Sequence, residues 1–331
     1  MKPKGLFILD EESLSLIYSP QQQSDIGELV TLVGAARSAD EVRQQPNHLA
    51  EVQMIFSGWG GPCLDESLLD AATDLQIVFY GAGSIRQVMT DAAWQRGVRI
   101  TSAYGINAIP VAEFAVSQII FCLKLGWQHV LATSNEPKWE RLPNMPGAYG
   151  STVGIVGLGQ IGARVCRMLQ DYDVRVIAYD PYKSEASAAK MGIELVQLDT
   201  IFTQSDVVSL HAPELPDTNQ MITRAHLESM KPAASLINTA RGALIDQRAM
   251  IEVFRRRSDL VAVLDVTDPE PPEANSPLWD LPNVVLLPHI AGSMDRECWR
   301  MGGSMVDELR RFLTGRPLEG EITRKMASRL A

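Results

Sequence analysis

Short apolar runs and longer segments with helical spacing alternate along the whole chain. In the first third, residues 5–9, 54–58, 76–80 and 98–101 read as strands, with 66–72 and 85–95 as helices between them. From residue 153 onward the alternation returns more densely. Residues 153–156, 174–179, 206–211, 234–239, 260–266 and 283–287 read as strands there, and 223–230 and 246–257 as helices. Strand–helix alternation of this kind predicts parallel sheets covered by helices. Two further helices frame the second series, an apolar one at 109–125 and another at 294–313. The expectation is therefore two α/β units, the larger inserted into the smaller, with crossings near Ile106 and His289 acting as a hinge. Residues 1–106 and 290–331 would form the smaller unit and 107–289 the larger. A length of 331 residues suits two domains.

One segment gives the larger unit a chemistry. Val153-Gly154-Ile155-Val156-Gly157-Leu158-Gly159-Gln160-Ile161-Gly162 runs from an apolar strand through Gly-x-Gly-x-x-Gly into a helix. Gly157 permits a tight turn, Gly159 lets the backbone approach a pyrophosphate, and Gly162 lets the helix pack closely on the strand. The first amides of that helix, around Gln160 and Ile161, face the anion. A second strand ends in Asp180, 18 residues after Gly162, where a carboxylate grips a ribose 2′-hydroxyl and repels a 2′-phosphate. The reading is a Rossmann-type doubly wound parallel sheet that binds NAD, inserted into a smaller flavodoxin-like α/β domain.

Composition narrows the partners. Thirty basic against forty acidic side chains give a net charge of −10, so no global basic field draws in nucleic acid or an anionic membrane. Any anionic substrate must then be held by local groups. No apolar run is read as reaching the roughly 18 residues of a membrane span. Met1-Lys2-Pro3-Lys4 leads straight into a strand-like run, so neither secretion nor membrane insertion is expected. Cys63, Cys122, Cys166 and Cys298 are far apart with no metal-ligand spacing. That fits reduced thiols, a cytoplasmic protein and no metal. Residues 135–148, with Pro137, Trp139, Pro143 and Pro146, read as a long loop able to cap a cleft or touch a partner subunit, and 268–277 as another.

In open α/β sheets ligands sit beyond the carboxyl ends of the strands. Three polar residues stand there: Arg241 in Asn238-Thr239-Ala240-Arg241-Gly242, Glu270 in Asp265-Val266-Thr267-Asp268-Pro269-Glu270-Pro271, and His289 in Pro288-His289-Ile290-Ala291-Gly292. Hydride transfer to a ketone builds negative charge on oxygen, and an imidazole is a natural proton donor for it. A neighbouring carboxylate favours the charged imidazole. A guanidinium can hold a carboxylate at two points while polarising the adjacent carbonyl.

These blocks, with the glycine motif, resemble the D-isomer-specific 2-hydroxyacid dehydrogenase family along nearly the whole chain. The resemblance implies that His289 is the general acid/base, Glu270 its partner, and Arg241 the holder of substrate carboxylate and carbonyl. It implies cofactor contacts from Gly157, Gly159, Gln160, Ile161, Gly162, Asp180, the Ser209-Leu210-His211-Ala212-Pro213 segment, Thr239, Ala240, Arg241, Asp265 and His289, with Asp265 holding the nicotinamide carboxamide and His211 not a second acid. Asn107 and Glu113 resemble the block at the start of the interdomain helix. In the small unit, Tyr80-Gly81-Ala82-Gly83-Ser84-Ile85 resembles the turn whose amides cradle the substrate carboxylate, so Gly81, Ala82 and Gly83 are expected substrate contacts with Arg241 and His289. The opposite wall, Ser57-Gly58-Trp59-Gly60-Gly61-Pro62, presents Trp59 where phosphoglycerate-specific relatives tend to place a basic residue. Trp59 cannot ion-pair with a phosphate, which speaks against 3-phosphoglycerate. Ala331 comes soon after the helix at 294–313, so no regulatory effector domain is expected.

The expected activity is NAD-dependent interconversion of a small-molecule 2-oxo acid and a D-2-hydroxy acid by a homodimer, its contacts implied by the helix at 109–125 and the Trp139 loop. The alternative is an NAD(H)-responsive, corepressor-like binding protein on the same fold. A formate-type dehydrogenase is disfavoured, because oxidising an anion with no proton to remove does not call for the Glu270–His289 pair.

Overall fold

The computed structural model describes residues 2–135, 140–143 and 145–329; Pro137, Trp139 and Asn144 of the expected loop lie outside them. The chain divides into two compact units, Met1–Asn107 with Ser293–Ala331, and Ala108–Gly292. In chain order the first unit holds β1 (Lys4–Phe7), α1 (Glu11–Ile17), α2 (Pro20–Leu29), β2 (Thr31–Leu32), α3 (Ala39–Gln44), β3 (Met54–Ser57), α4 (Glu66–Ala71), β4 (Ile77–Tyr80), α5 (Asp91–Gln95) and β5 (Arg99–Ser102). Helix α6 (Tyr104–Leu123) carries the chain into the second unit. There follow α7 (Gly126–Asn135), β6 (Thr152–Val156), α8 (Gln160–Leu169), β7 (Arg175–Tyr179), α9 (Glu185–Ala189), β8 (Glu194–Leu195), α10 (Leu198–Gln204), β9 (Val207–Leu210), α11 (Arg224–Ser229), β10 (Ser235–Asn238), α12 (Gln247–Arg256), β11 (Val261–Leu264) and β12 (Val284–Leu286). Helices α13 (Cys298–Leu313) and α14 (Arg324–Ala327) belong to the first unit again.

Both sheets are parallel among the described residues. The first has the order β2-β1-β3-β4-β5 and the second β12-β11-β10-β9-β6-β7-β8. The order therefore reverses between β1 and β3 in one unit and between β6 and β9 in the other, the places where doubly wound sheets open a ligand crevice. Alternating side chains of each strand feed two cores. In the second unit, Val156, Val208, Leu210, Leu236 and Leu264 pack on one face and Val153, Ile155, Val207, Ile237 and Val263 on the other. In the first, Phe7, Phe56 and Phe79 form a ladder across three neighbouring strands, with ring centroids 5.3 Å apart at each step.

Three sequence-based elements need correction. Residues 85–95 are helical only as α5, because Thr90 Oγ1 accepts the Ala93 amide and starts the helix there. The helix expected from 109 begins at Tyr104. Pro110, which looks like a helix start, sits inside it, and Leu125 stops it in a left-handed conformation, φ 51°. The helix expected from 294 begins at Cys298, after a 3₁₀ turn at Asp295–Glu297 in which Glu297 Oε2 accepts the Met294 amide.

The sequence reading of membrane-length runs is corrected too. Helix α6 is long and apolar enough to cross a membrane by length and composition. Half of its most apolar stretch is buried in the fold, however, where Ala112, Ala115, Ile119 and Leu123 pack against Val153 and Ile155. Its apolar character is spent on the core of the second unit.

The C-terminal segment is fastened to β5 by a buried acid. Glu308 on α13 is only 4% exposed, and its carboxylate accepts the amides of Glu319 (3.0 Å) and Gly320 (3.2 Å). Gly320 and Ile322 then hydrogen-bond Ser102 and Ile100 of β5. Glu308→Ala strands two amides and is expected to lower stability by about 1–3 kcal/mol, with Glu308→Gln intermediate. Urea denaturation followed by circular dichroism measures both.

Candidate active site

Backbone crowding dictates the glycine turn. Gly157 has φ +95°, and a Cβ there would lie 2.7 Å from the Ala212 amide nitrogen and 2.8 Å from the His211 carbonyl carbon. A Cβ on Gly162 would overlap the Gly157 carbonyl oxygen, so α8 can lie this close to its strand only without a side chain. Gly159 is different: a Cβ there meets nothing within 4 Å. It stands at the N-cap of α8 with no side-chain cap, leaving the first amides of a ten-residue helix turned to open space. That is the geometry a pyrophosphate needs. Asp180 ties the turn to the end of β7, its Oδ2 accepting the Leu158 amide (2.7 Å) and its Oδ1 the Tyr182 amide (2.9 Å).

Across the switch point, the His211 amide donates to the Val156 carbonyl (2.7 Å) and Nε2 lies 3.0 Å from Ser209 Oγ. Its Nδ1 is buried with no hydrogen-bond partner among the described residues, and so is Thr239 Oγ1 after β10. Burial pushes the His211 pKa down to about 3, so this ring is neutral at physiological pH and offers no imidazolium as a proton donor. Ala240 donates its amide to Asn238 Oδ1 (3.0 Å), and Asn238 Nδ2 in turn donates to the Arg241 carbonyl (2.8 Å), which fixes the loop after β10. An uncapped helix start, orphaned buried polar atoms and a side-chain-free approach at Gly159 together fit a dinucleotide.

His289 follows β12, Glu270 follows β11 and Arg241 follows β10, three neighbouring strands. Two of the three meet directly: His289 Nδ1 lies 2.6 Å from Glu270 Oε1, with both side chains partly exposed. Arg241 points elsewhere. Its Nη1 donates to the Ala240 carbonyl (2.6 Å) and its Nε is 4.0 Å from Glu214 Oε2; among the described residues it makes no hydrogen bond or ion pair with Glu270 or His289. Its loop is still tied to that of Glu270, because Gly242 packs on the Thr267–Asp268 backbone where any Cβ would overlap.

Asp265 is what places His289, a role sequence reasoning missed. Only 2% exposed, its carboxylate accepts the amides of Ile290 (2.8 Å) and Ala291 (2.9 Å), and its carbonyl accepts that of His289 (3.1 Å). His289 is held in the left-handed region, φ 55°. The only sequence signal was an acid at the end of an apolar strand.

In the first unit, Ser102 Oγ faces the carbonyls of Ala82 (2.9 Å) and Gly83 (2.6 Å) and turns them away from solvent. The amides of Ala82, Gly83 and Ser84 have no acceptor among the described residues, so the turn presents donors. Gly81 packs with a would-be Cβ 2.6 Å from Ile17 Cγ2. Trp59 is 37% exposed at the end of β3. Asn107 Oδ1 accepts the Ser293 amide (2.8 Å).

A sequence model of the D-isomer specific 2-hydroxyacid dehydrogenase NAD-binding domain matches residues 122–291. A D-3-phosphoglycerate dehydrogenase of Archaeoglobus fulgidus is 32% identical over 260 residues, covering 78% of this chain and 49% of that protein. The chain thus spans about half the length of that relative. A glyoxylate reductase of Korarchaeum cryptofilum is 33% identical over 76% of this chain and 77% of its own length. Among solved structures, the NAD-complexed form of a D-isomer specific 2-hydroxyacid dehydrogenase from Lactobacillus delbrueckii ssp. bulgaricus aligns with a TM-score of 0.79 over 97% of this chain and 100% of that one. At 21% identity this is a likeness of fold.

The buried His211 predicts acid lability. Its value falls from 6.5 to about 3 on folding, so below pH 6.5 the unfolded chain binds a proton that the native site refuses. Stability is fully present above pH 6.5 and falls toward pH 3, by on the order of 1 kcal/mol per pH unit. Thermal melts of wild type and His211→Gln across pH 3–7 are expected to diverge below 6.5, the variant losing less.

Proposed function

Because the chain belongs to the D-isomer-specific 2-hydroxyacid dehydrogenase family and carries its NAD-binding domain, we propose that it interconverts a 2-oxo acid and a D-2-hydroxy acid, with His289 moving the proton. The observation that carries this reading is the 2.6 Å contact between His289 Nδ1 and Glu270. With Glu270 accepting from Nδ1–H, Nε2 is left to give a proton to the carbonyl oxygen in reduction and to take the hydroxyl proton in oxidation. Bound NAD supplies or accepts the hydride. Asp180 would receive the adenosine ribose, and the amides at the start of α8 the pyrophosphate.

Arg241 would swing from the Ala240 carbonyl to hold the substrate carboxylate and polarise the neighbouring carbonyl. Within the first unit, the unpartnered amides of Ala82 and Gly83 would bind a carboxylate, and Trp59 would wall a side chain. Asp265, its carboxylate already engaged by Ile290 and Ala291, acts in this scheme by positioning the acid/base.

Purified protein is expected to oxidise NADH with at least one of glyoxylate, pyruvate, hydroxypyruvate, phenylpyruvate or a branched-chain 2-oxo acid. His289→Asn is expected to lower kcat by at least about a hundredfold while NADH still binds, as read by its fluorescence. Silence across the panel with NADH bound would overturn the reading. A homodimer is proposed as well, supported by the exposed Phe121 and Val130 on α6 and α7. Light scattering at micromolar concentration is expected to return twice the chain mass of 36.4 kDa, and a monomer would refute it.

A further inference from the structure

Asp10 occupies an unusual position at the carboxyl end of β1. It stands at the N-cap of α1, where an aspartate ordinarily accepts an amide of the first turn, yet it makes no capping hydrogen bond. Among the described residues its carboxylate has no hydrogen-bond or ion-pair partner at all. It lies instead flat against Gly60, where any Cβ would overlap all three carboxyl atoms, and Gly60 itself adopts φ +72°. The loop after β3 has thus made room for a charge that the fold does not use.

Its place in the fold gives that charge a role. Asp10 and the Trp59–Gly60 loop flank the β1/β3 reversal of strand order, the crevice of this sheet. At the far end of α1, Ile17 packs on Gly58 and Gly81, and Tyr18 donates its hydroxyl to the Ser57 carbonyl (2.9 Å). Helix α1 therefore runs across the ends of β3 and β4, with Asp10 at one end and the Gly81 turn at the other. Asp10 follows β1 and the turn proposed to hold the substrate carboxylate follows β4, two strands away in a sheet whose neighbouring strands stand about 4.8 Å apart, about 10 Å in all. A hydroxylated acid of three or four carbons, plus one hydrogen bond, spans that length.

We propose that Asp10 reads the far end of the substrate side chain, selecting 2-oxo acids that carry a hydroxyl or other hydrogen-bond donor there and rejecting those that carry a second anion. The proposal rests on the substrate site described above. A neutral donor gains a charge-assisted hydrogen bond from the unpaired carboxylate, whereas a phosphate or second carboxylate meets like charge beside an uncharged indole. The chain would then differ in substrate from the phosphoglycerate dehydrogenases it resembles in sequence.

The test compares kcat/KM for hydroxypyruvate and phosphohydroxypyruvate, each divided by the same protein's value for glyoxylate, which has no side chain. Wild type is expected to favour hydroxypyruvate. Asp10→Asn, which can cap α1 as well as aspartate does, is expected to shift the ratio toward phosphohydroxypyruvate by at least about tenfold. An unchanged ratio in a variant that still reduces glyoxylate would overturn the proposal alone. Failure of wild type on every acid, glyoxylate included, would overturn the enzymatic reading. Calorimetric titration of NAD-loaded protein with D-glycerate and 3-phosphoglycerate then examines Asp10 separately, and equal affinity ratios in wild type and Asp10→Asn would sink it.

Discussion

The buried carboxylate of Asp265 is the constraint on which the geometry at the carboxyl edge of the second unit's sheet depends. A charge with 2% exposure must be satisfied within the protein, and the available donors are the amides of Ile290 and Ala291. To offer them, the chain leaving β12 must fold back on β11, which forces His289 into the left-handed region. Such a conformation costs on the order of 1–3 kcal/mol, and two charge-assisted hydrogen bonds of about 1.5–3 kcal/mol each outweigh it. The imidazole is delivered beside Glu270 as the outcome of that balance.

Close backbone approach does for the other loops what charge does here. Gly157 against Ala212, Gly162 against Gly157 and Gly242 against Thr267 are contacts that a single methyl group would break. They tie the loop after β6 to the loop after β9, and the loop after β10 to the loop after β11. Freedom is left to a few side chains, Arg241 among them. The two histidines divide accordingly: His211, buried and neutral, fills space under the glycine turn, while His289 is half exposed and paired with Glu270.

Much of the fold was legible in the sequence. Apart from β2 and β8, the strands of both sheets follow from apolar runs, and the nucleotide motif follows from glycines whose spacing serves a strand–turn–helix. What misled were local signals overruled by packing. Helix α6 begins five residues before its expected start with Pro110 inside it, because a proline costs one hydrogen bond and the buried face of α6 compensates for it. The two-residue strands β2 and β8 and helices such as α1 and α3 carry too few apolar residues to announce themselves, and they form because neighbouring elements leave a place for them.

By itself, the sequence determined the α/β class, the NAD motif and the presence of an arginine, a glutamate and a histidine after successive strands, because these depend on periodicity and on residue types a few positions apart. Tertiary structure alone decided which of those side chains meet. Only it shows that His289 reaches Glu270 while Arg241 turns to Ala240 and Glu214, and that Asp10 leaves its helix uncapped against Gly60. The physical reason is that such contacts join residues distant along the chain, whose separation is fixed by sheet register and backbone packing, quantities that no short stretch of sequence encodes.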